Sequence, residues 1–146
     1  MNDSLILSNE FYSFLTGKVS TAISRRLQRN LKAGKLTITA EQWTILYHLW
    51  QEEGLTQQEL ANLTFRDKPS ITRLINNLEK MALVIRVNDK QDRRSNLIYL
   101  TKEGRKLREE GMKQSAITLS EATAGLELED LRAAQMILDR VFHNIK

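Results

Sequence analysis

The chain has 146 residues, 41% of them hydrophobic and 27% charged, with a formal net charge of +4; this is enough apolar material for one folded domain and excludes disorder as the default. It has no cysteine, which excludes disulfides, zinc sites built on thiolates, and sensing by oxidation of its own thiols. His48 and His143 stand far apart in the sequence and offer no cluster of metal ligands; no cofactor is expected.

Met1–Ser8 holds an acid and a three-residue apolar run, unlike a secretory signal. The run Met81–Ile85 is the longest apolar stretch elsewhere and is far too short to span a bilayer. The expectation is a cytoplasmic protein with no membrane partner. One proline and six glycines favour long helices with short connections.

In chain order, Phe11, Leu15, Val19, Ala22, Ile23, Leu27 and Leu31 recur at helical spacing and predict one long amphipathic first helix, ended by Gly34. Thr39 and Gln42 form a capping-box pattern for a second helix with Trp43, Leu46, Tyr47 and Trp50 as its buried stripe, closed by Gly54. Thr56 and Glu59 repeat that pattern before a short helix through Leu60 and Leu63. A further helix, Asp67 to Ala82, starts on a capping aspartate with Pro69 in its first turn. Its apolar face is Ile71, Leu74, Ile75 and Leu78, and its outer face carries Ser70, Thr72, Arg73, Asn76, Asn77 and Lys80. Val84–Val87 and Leu97–Leu100 then read as the strands of a hairpin with a charged tip. Thr101 is a candidate cap for one long helical region, Lys102 to about Ala124, broken by Gly125. Glu127, Glu129 and Asp130 open a last helix whose apolar side is Leu128, Leu131, Ile137, Leu138, Val141, Phe142 and Ile145.

The charge is concentrated. Between Arg66 and Arg105 ten basic residues face five acidic ones, while the rest of the chain is close to neutral. Helix, short helix, helix and hairpin in that order predict a mainly α fold with a small β-hairpin wing, a winged helix-turn-helix. An α-helix fits the major groove of B-DNA, and a basic helix with a basic hairpin is the footprint of a duplex reader. Arg73 is the candidate guanine reader, since its planar fork matches O6 and N7. Asn76 and Asn77 suit adenine or phosphate; Lys68, Ser70 and Thr72 suit phosphate at the helix start. Lys90, Arg93 and Arg94 on the hairpin are candidates for an adjacent minor groove. Phe11, Tyr12, Trp43 and Tyr47, with Trp50, are candidates to line an effector pocket, against the commoner role of such aromatics as core. No Gly-rich phosphate loop, activated nucleophile or convergent acid–base set is present, so no enzyme is expected.

Leu60-Ala61, the run Asp67-Lys68-Pro69-Ser70-Ile71-Thr72-Arg73-Leu74-Ile75-Asn76-Asn77-Leu78-Glu79-Lys80, then Asp92-Arg93-Arg94-Ser95 and Leu100-Thr101-Lys102-Glu103-Gly104 resemble the multiple-antibiotic-resistance regulator (MarR) family over nearly the whole chain. The resemblance implies a transcriptional regulator, usually a repressor, acting as a homodimer on a pseudo-palindromic operator in double-stranded DNA. It implies one domain over 1–146, with a winged core at 37–101 and dimerisation helices at 8–34 and 102–146. It also implies that Asp92 and Arg94 brace the wing or touch DNA, and that a small aromatic or anionic effector binds between dimer region and reading head. The chain departs from the peroxide-sensing relatives in lacking their reactive cysteine. The rival reading keeps the winged fold as a module for an acidic protein partner.

Overall fold

A computed structural model describes residues 7–146, so the reading of Met1–Ser8 lies largely outside the described residues. Two wide π-helical turns, Leu7–Phe11 and Phe14–Lys18, lead into α1, Val19–Ala33. The single helix expected from Phe11 is therefore interrupted. The backbone leaves helical geometry at Gly17 (φ 162°, ψ −18°), and glycine is among the weakest helix formers. Of the apolar stripe only Leu27 and Leu31 are buried; Phe11, Leu15, Val19 and Ile23 are exposed. Gly34 ends α1 as expected, but the left-handed residue is Lys35 (φ 64°), with the Leu36 N–H closing on the Leu31 carbonyl at 2.9 Å. A Cβ at Gly34 would press on the side chains of Gln114 and Glu110, whose flexible ends would have to shift.

Helix α2, Ala40–Gln51, opens on the expected capping box: Thr39 Oγ1 accepts from the Gln42 N–H (3.1 Å), and Gln42 Oε1 accepts from the Thr39 N–H (2.9 Å). Its buried face is Gln42, Ile45, Leu46, Leu49 and Trp50, with Trp43 and Tyr47 only partly covered. Apolar residues occur on so much of this helix that spacing alone could not orient it. A two-residue strand β1, Leu55–Thr56, precedes α3, Gln57–Thr64. Thr56 caps α3 through the Glu59 N–H at 3.0 Å, but the second capping box is half made, because the Glu59 carboxylate meets the Thr56 hydroxyl instead of its N–H. Leu60 and Ala61 are buried, whereas Leu63 is exposed.

Helix α4, Lys68–Lys80, forms as read: Asp67 Oδ1 accepts from the Ser70 N–H at 2.8 Å, and Ile71, Leu74, Ile75 and Leu78 are all buried. Strands β2, Val84–Asn88, and β3, Asn96–Leu100, make the hairpin, paired from Val84 with Leu100 to Asn88 with Asn96. β1 joins the free edge of β3, giving an antiparallel sheet of order β1-β3-β2. Two residues are too few to show the alternation by which a strand is recognised, so β1 was not legible.

The helical region after Thr101 is two pieces, α5 (Lys102–Lys106) and α6 (Arg108–Ala122), parted at Leu107. Helix α7, Leu128–Ile145, follows Gly125 (φ 81°). Helix α1 lies along α6, and α2 packs on α3, α4 and α6. The core runs from Leu31 and Ile38 through Ile45, Leu60, Ile71 and Ile75 to Val84 and Ile98 on the sheet. Two indole N–H groups tie α2 to the later helices, Trp43 Nε1 to the Gly111 carbonyl (2.9 Å) and Trp50 Nε1 to that of Gly104 (3.0 Å). No residue of α7 is buried, although seven of them make the apolar side expected from the sequence.

Candidate nucleic-acid interface

Because α4 spends its apolar stripe on the core, its other side is left to solvent, where Lys68, Pro69, Thr72, Arg73, Asn76, Asn77 and Lys80 line one shallow groove. Lys68, Arg73 and Asn76 are exposed, while Ser70, Thr72 and Asn77 are partly covered. The Asp67 cap makes the first turn of α4 electrostatically sharp: the Ser70 N–H bond to its carboxylate holds it below the ordinary range for aspartate.

The α4 face is braced by residues that the sequence reading did not single out. Arg86 on β2 donates to Glu79 Oε1 (2.8 Å), to Asn76 Oδ1 and to Gln57 Oε1 (3.3 Å), joining wing, α4 and α3. Gln57 Nε2 in turn donates to Thr72 Oγ1 at 3.0 Å, and that hydroxyl donates to the Lys68 carbonyl. Arg86 is thus a fixed strut among the ten basic residues of the patch. Arg105 is another: its Nε and Nη2 grip Glu53 at 3.0 and 2.9 Å, and Glu53 also accepts from the Leu100 N–H at 3.0 Å. The hydrogen bonds from Arg105 hold the Glu53 carboxyl below its usual value, with burial opposing and the Leu100 N–H assisting. Nothing in composition or spacing marks these partners, because they meet across 7 to 52 residues of sequence.

At the hairpin tip Asp92 is the organiser. Its Oδ1 accepts from the Arg94 N–H (3.1 Å), its carbonyl from the Ser95 N–H (3.0 Å), and its carboxylate lies 3.7 Å from Arg94 Nε. Lys90, Arg93 and Arg94 project outward, the Arg94 side chain 95% exposed. The wing and α4 meet at a depression of about 130 Å³ lined by Thr56, Gln57, Gln58, Lys68, Arg94, Ser95 and Asn96. Lys68 and Arg94, read separately as phosphate and groove contacts, therefore share one site beside the start of α3. Gln58 belongs to it too.

The aromatic candidates divide. Trp43 and Tyr47 stack with centroids 5.2 Å apart and pack against the core, and Trp50 is buried. Phe11 and Tyr12 stand outside that core on the N-terminal segment, 47% and 65% exposed. For Trp43, Tyr47 and Trp50 the geometry is that of core-edge packing. Burial lowers the His48 pKa beside Tyr47, favouring neutral imidazole there.

Residues 38–95 match the model of the MarR family. The organic hydroperoxide resistance transcriptional regulator of Bacillus subtilis (strain 168) is 30% identical over 125 residues, covering 84% of this chain and 85% of that protein. Among solved structures, the S. aureus MepR–DNA complex aligns with a TM-score of 0.81 and 29% identity, over 92% of this chain and 98% of that one. A mutant MarR from E. coli complexed with operator DNA aligns at 0.83 over 94% and 97% of the two chains; at 24% identity this is a likeness of fold. With the winged architecture in place and a relative matched along most of both chains, this protein belongs to the MarR family of DNA-binding transcriptional regulators and is not an enzyme.

Proposed function

We propose that the chain acts in the cytoplasm as a homodimeric repressor of a pseudo-palindromic operator, with α4 in successive major grooves about one helical turn apart and the wings in flanking minor grooves. The observation that carries this reading is the shared depression between α4 and the wing, where Lys68 and Arg94 converge. A backbone phosphate there would meet two cations and the amides of Gln58 and Asn96 while Arg73, Asn76 and Asn77 face the bases. The dimer reading is supported by the exposed apolar residues of α1 and α7, including Val19, Ile23, Ile137 and Leu138, since apolar side chains left to solvent in number mark interaction surfaces.

A small aromatic or anionic effector would release the operator by favouring a dimer geometry whose reading heads no longer match the half-site spacing. A neighbour in fold, CouR from Rhodococcus jostii RHA1, is bound to p-coumaroyl-CoA and aligns at a TM-score of 0.77 with 22% identity; that complex supports the effector reading. With no cysteine in the chain, thiol oxidation is not the trigger, despite the hydroperoxide-linked name of the B. subtilis relative. Selection of bound duplexes from a random pool tests the reading: a recovered inverted repeat is expected. Recovery of unrelated sequences, or binding that ignores salt, would favour an acidic protein as partner.

A further inference from the structure

Glu41, the second residue of α2, belongs neither to α4 nor to the wing, yet its carboxylate reaches the charge of α4 and of the turn before it. Its Oε2 lies 3.5 Å from Nη2 of Arg73 and 3.9 Å from Nη1 of Arg66. The two arginines come from different places, Arg66 from the turn between α3 and α4 and Arg73 from the second turn of α4. The side chains are all reachable by solvent, at 49% exposure for Glu41, 60% for Arg73 and 35% for Arg66. They line one open depression with Asn77 and Arg25. Exposed pairs of this kind add little to stability, and the Thr39–Gln42 capping box already secures the start of α2. What the acid does achieve is to neutralise, before any duplex arrives, part of the charge that a phosphate backbone would attract.

We propose that Glu41 is a specificity-determining residue, an intramolecular carboxylate that keeps Arg66 and Arg73 back from phosphates while leaving Arg73 free to read a base. This rests on the reading of the α4 face as the duplex contact. An arginine has five N–H donors. On the operator, Arg73 keeps Glu41 on one edge of its guanidinium and directs the other edge to guanine. On a random duplex there is no base contact to gain, and Arg66 and Arg73 must leave Glu41 to follow the backbone. The acid therefore weakens non-specific binding more than specific binding, because the cost of breaking its ion pairs falls only on the wrong partner.

The test compares wild type with Glu41→Gln on the selected operator and on a random duplex of equal length over a series of salt concentrations. Glu41→Gln is expected to bind the random duplex roughly 5- to 10-fold more tightly, with a log–log salt slope steeper by about one to two phosphates, while operator affinity changes less than about 2-fold. In an Arg66→Ala/Arg73→Ala background the same substitution should have no effect on the random duplex. An unchanged specificity ratio and slope overturns the proposal. So does weaker operator binding with random binding unaltered, which would make Glu41 a support for Arg73, and so does a gain that persists without the two arginines. Thermal unfolding of each variant confirms an intact fold, and Glu41→Ala repeats the measurement with a shorter side chain. A wild type that selects an operator while Glu41→Gln matches it sinks only this inference; a wild type that binds no duplex sinks the interface reading and this inference with it.

Discussion

Arg73 and Lys68 lie on the same helix face, but in different surroundings. Arg73 is on the second turn, its Nη2 3.5 Å from Glu41, whereas Lys68 is the first residue of α4 and faces Arg94 across the wing depression. Arg73→Ala is expected to cost about 1–3 kcal/mol of operator binding and relax preference at one base pair, while Lys68→Ala weakens all duplexes evenly and lowers the salt slope by about one. Competition titrations against single-base operator variants check both, and unaltered selectivity in Arg73→Ala would refute base reading there. Glu53 lends itself to a pH test. Its carboxyl is held below its usual 4.5 by Arg105, so the stability it contributes is complete above that value and is lost as pH falls through the lower folded value. Glu53→Gln should therefore lose roughly 1 kcal/mol at neutral pH, with a gap from wild type that closes in acid. Urea titrations across pH 3 to 7 read it; a gap constant over that range would contradict the clasp.

At the scale of the element, α4 was legible because cap, proline, apolar spacing and polar outer face all agree with one helix. The first helix was not: its apolar spacing continues straight through Gly17, where the backbone departs from helical angles. The motif Leu100-Thr101-Lys102-Glu103-Gly104 shows what spacing leaves unexplained. Thr101 caps α5 through the Gly104 N–H at 3.0 Å and donates its hydroxyl to the Ala82 carbonyl at 2.7 Å. Gly104 is buried, and a Cβ on it would collide with the backbone carbonyl of Leu83. Since a carbonyl in the hairpin approach cannot swing aside like a side-chain tip, Gly104→Ala should destabilise the fold by about 1–3 kcal/mol. A urea midpoint equal to that of wild type would show that the junction gives way freely.

For the whole molecule, the decisive feature is the apolar surface that a single chain leaves uncovered on α1 and α7. Fully burying an exposed side chain of this size gains about 1.5–3 kcal/mol, and one already half covered gains less, so a dimer of the proposed kind needs several together. Ile137→Glu places a charge on a side chain already 58% exposed; helicity should be kept while sedimentation shifts from dimer to monomer and operator binding falls. A variant that still sediments as a dimer would move the interface elsewhere. The amino-acid sequence by itself determined the winged order of elements, the placed charge and the apolar faces, because caps, periodicity and charge are properties of neighbours along the chain. Only the tertiary structure decided which charges are free and which are held, setting Arg86 and Arg105 as struts and joining Glu41 to Arg66 and Arg73. Ion pairs and hydrogen bonds between distant residues depend on distances that exist only once the core has brought the helices together.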